Sequence, residues 1–109
     1  MTDIHVAHTE RGIGVVTPVG RLTMVVTRQL TEAITGLVDG GTSKVVVDLG
    51  ETTFLDSSGL GALIAGLKRC RQAGGDLRLA RPTEQVTTVL SLTNLDRVLR
   101  PRASVAEAF

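Results

Sequence analysis

The run Lys44-Val45-Val46-Val47-Asp48-Leu49 and, shortly after it, Phe54-Leu55-Asp56-Ser57-Ser58-Gly59-Leu60-Gly61 decide the fold of this chain. The first run is β-branched and apolar and has the length of a strand. Its valines do not alternate with polar residues, which predicts a strand covered on both faces, as an inner strand with parallel neighbours would be. After the second stretch, Leu60, Leu63, Ile64 and Leu67 keep the i, i+3, i+4, i+7 spacing of an amphipathic helix. The centre therefore reads as a strand, a short loop and a helix, with Asp56-Ser57-Ser58 at the loop–helix junction. A helix start carries backbone N–H groups without intrahelical partners and a partial positive charge. It suits an oxygen-bearing cap, a carboxylate or a phosphate. Gly59 and Gly61 lack side chains, so another backbone or a partner can approach closely there.

Composition bounds the rest. A chain of 109 residues that is 42% hydrophobic suits one domain, over residues 1–109, with a modest core. The formal charge of +1 supplies no field to draw nucleic acid or an anionic membrane. Phe54 and Phe109 are the only aromatic residues, too few for a platform on which bases stack. No apolar run approaches the roughly 20 residues of a membrane span, and Met1-Thr2-Asp3-Ile4-His5 lacks the pattern of a signal peptide. Cys70 is the only cysteine, so no internal disulfide is expected and the setting reads as reduced and cytoplasmic.

Taken in order, Ile4 and Val6 against His5 and Ala7 predict a first strand over Asp3 to Ala7. Arg11-Gly12 is a turn, and Ile13, Val15, Thr17 and Val19 follow at period two, so the pair reads as a hairpin. Pro18 cannot donate a ladder hydrogen bond and should meet an edge or a bulge. Gly20-Arg21-Leu22-Thr23 ends this strand. Val26, Leu30, Ala33, Ile34, Leu37 and Val38 then predict a helix closed by Gly40-Gly41. Its first turn is β-branched and capped at best by Thr23, so packing must hold it. The central helix ends in Lys68, Arg69 and Arg71, placed for its C-terminal dipole, and stops at Gly74-Gly75.

Asp76-Leu77-Arg78-Leu79-Ala80 alternates as a fourth strand, and Pro82 opens a helix with Val86, Val89 and Leu90 on its stripe. Asn94 suits a left-handed turn before Arg97-Val98-Leu99-Arg100, read as a short final strand that Pro101 ends. Ser104-Val105-Ala106-Glu107 is a capping-box signature and predicts a brief last helix. The sum is one α/β domain.

The stretch from Phe54 to Gly61 resembles the signature of the anti-sigma factor antagonists, bacterial members of the STAS domain family. Gly20 and Leu22 match in part the family's glycine-acid-leucine-Asp turn. Gly74-Gly75 match its paired glycines, and Leu92 to Leu95 fall at its short turn, so the likeness covers almost the whole chain. It implies a small mixed β-sheet of four to five strands with helices packed mainly on one side. It also implies a binding protein, not an enzyme, that regulates transcription under stress by partner switching. The unphosphorylated form binds an anti-sigma factor that is also a serine kinase, and the sigma factor is freed. The kinase phosphorylates the serine directly after the motif's Asp, and a metal-dependent serine phosphatase restores it.

By motif position the acceptor is Ser57, with Ser58 as the alternative. Asp56, Ser58, Gly59, Leu60 and Gly61 belong to the partner-binding surface, with Arg21 and Thr23 at its edge. No cofactor or metal is implied, and the free protein is expected to be a monomer. Two features depart from the family pattern: Arg21 and Thr23 stand where it carries an acid and then Asp, and the last helix is shorter. The altered turn keeps a second role open, that of an accessory subunit binding the ATPase of an ABC-type lipid transporter.

The switch has a physical logic independent of the likeness. Phosphorylation adds about −1.5 to −2 charge and three acceptor oxygens. A helix start tolerates that anion, while a close-fitting partner has to bury or oppose it beside Asp56. The plain alternative is an N-cap without covalent chemistry, which capping preferences alone favour; the match across the chain outweighs them.

Other patterns carry less. His5 and His8 mimic a metal pair, but residues three apart on a strand point to opposite faces and no thiol or carboxylate cluster completes a site. Cys70 follows Leu67 by one helical turn and reads as a small buried apolar residue. Gly59-x-Gly61 with Gly66 misses the dinucleotide fingerprint because position 64 is Ile, and Ser57 lacks a G-x-S-x-G elbow. Lys68-Arg69-Cys70-Arg71 and Arg100-Pro101-Arg102 read as solvated charge.

Overall fold

A computed structural model describes residues 3–109. Its elements run β1 (Asp3–His8), β2 (Gly14–Leu22), α1 (Met24–Asp39), β3 (Lys44–Asp48), β4 (Thr52–Leu55), α2 (Ser57–Gln72), β5 (Asp76–Ala80), α3 (Glu84–Leu92) and α4 (Asp96–Leu99). The strands form one mixed sheet in the order β1-β2-β3-β5, with β4 paired to β2. β1 and β2 make the expected antiparallel hairpin, from Asp3 opposite Val19 to His8 opposite Gly14.

The long strand β2 changes partner along its length. Gly14 to Val16 pair with β3, and Gly20 to Leu22 pair with β4, both in parallel. The register slips between Gly20 and Arg21, where Gly20 adopts φ +97°, a conformation that suits glycine at a bulge. Pro18 lies in the interval between the two parallel partners, and its carbonyl accepts from Thr52 Oγ1 at 3.0 Å.

β3 lies between β2 and β5, parallel to both, as the unbroken valine run predicts. Val45 and Val47 enter the main core and Val46 the opposite face. On the main side Val26, Leu30 and Ile34 of α1, Leu63 and Leu67 of α2, Val86 and Leu90 of α3, and Leu99 of α4 pack on Val16, Leu22, Leu55, Leu77 and Leu79. Each such side chain contributes about 1.5–3 kcal/mol on leaving water. This is how α1 stands without a side-chain cap: Thr23 occupies the N-cap position but its hydroxyl makes no cap bond.

The other face of the sheet, at Ile13, Val46 and Ala80, is covered by the C-terminal segment through Val105, Ala108 and Phe109. Arg78 ties that segment down, donating from Nη1 to the Ala108 carbonyl at 2.8 Å and lying 4.4 Å from the Phe109 ring centroid. Helices therefore pack on one side, as the resemblance implies.

Three expectations need correction. The segment before Asp56 is not all loop, because Thr52–Leu55 forms β4 against β2; four residues after a turn are too few to show a period. Arg97 to Arg100 is not a strand. Asp96–Leu99 forms the short helix α4, closed by Leu99 N to Leu95 O and Arg100 N to Asp96 O bonds. The edge of β5 is met later, by a single bridge from Ala80 to Arg102. Asn94 does take the left-handed conformation, at φ 59°. The capping box at Ser104 closes a turn, with Glu107 N donating to Ser104 Oγ at 3.3 Å, and no helix follows.

Candidate functional site

The chain leaves β4 at Leu55 and enters α2 at Ser57. Asp56 between them is extended (φ −102°, ψ −174°), and its Oδ1 accepts from Gly59 N at 2.9 Å. Its carbonyl accepts from Leu60 N at 3.0 Å, the first intrahelical bond. Asp56 is thus the N-cap. That separates the three residues which the sequence left together. Ser57 is the first helical residue and is exposed; Ser58 is half-buried. Neither hydroxyl is among the hydrogen bonds of the described residues, so the helix does not need them as caps.

The remaining expected positions divide by exposure. Arg21 and Gly61 are exposed, Thr23, Asp56 and Leu60 are half-buried, and Gly59 is buried. A Cβ at Gly59 would lie 2.5 Å from the Leu22 carbonyl and 2.6 Å from Leu55 Cδ1. Its missing side chain therefore lets α2 start against the ends of β2 and β4. Gly61 is the opposite case, with nothing within 4 Å of a Cβ built there. Arg21 sits opposite Phe54 in the β2–β4 register, with its guanidinium 4.8 Å from the ring centroid. Ser58 and Ala62 line a groove of about 500 Å³ with Thr27, Arg28, Thr31 and Glu32 of α1.

Two features escaped the sequence reading. Met24 and Val25, in the first turn of α1 directly after Thr23, are 72% and 83% exposed; lying off the apolar stripe that starts at Val26 was their only signal. Gln85, in the first turn of α3, bonds the backbone of Leu55 on both its N–H (3.0 Å) and its carbonyl (3.3 Å). Nothing in the sequence marks it, because the contact spans two elements.

Among the described residues no group of three His, Cys, Asp or Glu side chains could hold a metal ion. His5 and His8 are exposed on β1. Cys70 is buried in α2, and burial first, then the nearby Asp76 charge, pushes its thiol up to about 11 against the opposing pull of Arg69. It is protonated at neutral pH and is not a poised nucleophile. No helix of the described residues is long and apolar enough to cross a membrane.

Fold and site define a small α/β domain that displays a serine at the exposed start of a helix. The chain belongs to the STAS domain family, which it matches over residues 5–108. A relative from Thermotoga maritima that bears the name anti-sigma factor antagonist is 38% identical over 68 residues, 62% of this chain and 60% of that protein. The aligned part therefore spans less than two thirds of the relative's length. A crystal structure of an anti-sigma factor antagonist from the same organism matches with a TM-score of 0.88 at 26% identity, over 96% of this chain and 90% of that one. The anti-sigma factor antagonist SpoIIAA matches in its unphosphorylated form with a TM-score of 0.84 at 19% identity, over 97% of this chain and 92% of that one. Bacillus SpoIIAA in its phosphorylated form matches with a TM-score of 0.77 at 19% identity, over 97% and 96%. At 19% identity the likeness concerns the fold alone.

Proposed function

We propose that this chain is an anti-sigma factor antagonist controlled by phosphorylation of Ser57. The unmodified form binds an anti-sigma factor that is also a serine kinase, and the sigma factor is freed. The kinase transfers the γ-phosphoryl group of ATP to Ser57 Oγ: the bond from Pγ to the leaving oxygen breaks, the Oγ–P bond forms, the hydroxyl proton is lost and ADP departs. A serine phosphatase reverses the modification. In this scheme the chain is a regulatory binding protein and a substrate, not an enzyme, and it is a monomer when free.

The observation that carries this reading is the division of labour at the start of α2. Asp56 caps the helix through Gly59 N, which leaves Ser57 exposed and its hydroxyl uncommitted. A plain capping role for Ser57 would place its oxygen on a backbone N–H instead. Ser58, half-buried beside α1, is the less accessible acceptor. The phosphate would sit where helix N–H groups and the dipole favour an anion, so the fold tolerates it. The cost falls on the complex: a partner seated on Ser57, Gly61 and the Arg21–Thr23 edge would have to bury a dianion next to Asp56.

The test is intact-mass spectrometry with site mapping on protein recovered from its native cells, beside Ser57→Ala. A phosphoryl adduct on Ser57, absent from the variant, together with capture of an anti-sigma kinase by wild type but not by Ser57→Asp, is the expected outcome. No adduct in growth or stress, with a transporter ATPase captured instead, overturns this reading and supports the accessory-subunit role.

A further inference from the structure

Among the described residues β4 is paired on one side only, by β2. Its other side would present unpaired backbone groups. Gln85 occupies them, with Leu55 N donating to Gln85 Oε1 at 3.0 Å and Gln85 Nε2 donating to the Leu55 carbonyl at 3.3 Å. A carboxamide holds one acceptor and two donors at its tip, so it supplies the pair of contacts that a neighbouring strand residue would supply. Thr83 adds a second tie, from its Oγ1 to the Thr52 carbonyl at 3.3 Å. The mount is firm, because Val86 and Leu90 anchor α3 in the core. By contrast, the bond that joins Asp56 N to the Leu22 carbonyl is long, at 3.4 Å. The backbone entering the acceptor turn is therefore held from outside by α3.

We propose that Gln85 is a positioning residue for Ser57. It fixes Leu55, and through Leu55 and Asp56 the direction in which Ser57 Oγ is presented to the kinase. This rests on Ser57 being the acceptor and adds a residue that does not touch the phosphate. Phosphoryl transfer depends mostly on positioning and electrostatics. A hydroxyl on a loosened turn is thus a poorer acceptor even in an intact fold.

Two variants test this. Gln85→Leu removes both bonds at similar volume. Gln85→Glu keeps the acceptor but, when ionised, loses the donor and sets a carboxylate against the Leu55 carbonyl; once protonated it can donate again. Phosphate incorporation at Ser57 is measured with ATP in an extract of the native cells, alongside backbone amide NMR shifts. Both variants should be phosphorylated at least about tenfold more slowly at neutral pH, with the β3 and β5 amide resonances unchanged. The Leu55 and Asp56 amides of Gln85→Glu should return toward wild type as pH falls toward about 4.3, an ordinary glutamate value. Those of Gln85→Leu should not, and since Asp56 and Glu84 remain in it, that variant controls for their charge. If Gln85→Leu does not fold, Gln85→Glu carries both readouts. Wild-type phosphorylation rates in variants whose Leu55 amide has shifted overturn the positioning role alone. Absence of phosphate on wild-type Ser57 overturns the acceptor reading and this inference with it.

Discussion

Two aspartates close the two consecutive parallel strands, and they are used in opposite ways. Asp48, the last residue of β3, is 7% exposed. Both its oxygens accept from the Arg81 guanidinium at 2.9 Å, and Oδ1 accepts also from Gly50 N at 3.0 Å. The fit is close enough that a Cβ at Gly50 would lie 2.6 Å from Arg81 Cζ. Arg81 itself takes the left-handed φ of 51°, held by that pair and by its N–H bond to the Arg102 carbonyl; the hydrogen bond and then the charge of Asp48 raise the guanidinium further above its ordinary value. Asp56, directly after β4, is half-buried and accepts at Oδ1 from a single backbone N–H. Its neighbour Ser57 faces solvent at a helix start. The same side chain at the end of a parallel strand either closes a loop completely or caps a helix and leaves the next hydroxyl open. Only the second arrangement can accept a new charge without breaking an existing bond.

The comparison can be broken in order of expected effect. Gly59→Val should cost most, about 1–3 kcal/mol toward the upper end, because the added carbons meet the Leu22 carbonyl and Leu55. Urea unfolding measures it, and a loss under about 0.5 kcal/mol, ordinary for a surface site, would show that the start of α2 is not pinned to β2 and β4. Asp48→Ala comes next, at about 1–2 kcal/mol, since Gly50 N loses its acceptor and the Arg81 guanidinium loses its partner. Asp56→Ala should cost about 1 kcal/mol, the usual worth of an N-cap. A larger loss at Asp56 than at Asp48 would reverse the assignment of closed and open sites.

The asymmetry between these sites was legible only in part. The unbroken Val45–Val47 run marks an inner parallel strand, because burial on both faces erases alternation, and the structure agrees. The helix over Leu60 to Leu67 shows its period, and the oxygen-bearing residues at its start show where a cap must lie. Which of Asp56, Ser57 and Ser58 caps is a matter of backbone direction at one residue, and all three types are competent caps. β4 was hidden by its length, and α4 by a stretch whose apolar pair, Val98-Leu99, fits either period. The Asp48–Arg81 pair and the Gln85 clamp join residues some thirty positions apart, and no local pattern encodes a contact between elements. Gly59 reads from sequence as room for another backbone or a partner, and which of the two takes it is decided by the fold: the Leu22 carbonyl and the Leu55 side chain do.

The smallest effect on the fold should come from the substitution with the largest consequence for binding. Ser57→Asp places a carboxylate at the first residue of α2, where the dipole and the unpaired N–H groups contribute about 0.3–1 kcal/mol. Against this stands the Asp56 carboxylate next door: a like charge about 6 Å away costs about 0.7 kcal/mol in water. The two nearly cancel, so urea unfolding should place Ser57→Asp within about 0.5 kcal/mol of wild type. A phosphate dianion enlarges both contributions together and leaves the balance similar. Salt should change little, since both interactions are screened alike over a Debye length of about 8 Å at physiological ionic strength. A marked destabilisation by Ser57→Asp would mean that the charge acts by disturbing α2 itself. A neutral fold combined with lost capture of the kinase would place the switch in the complex, where the partner must desolvate the new charge beside Asp56.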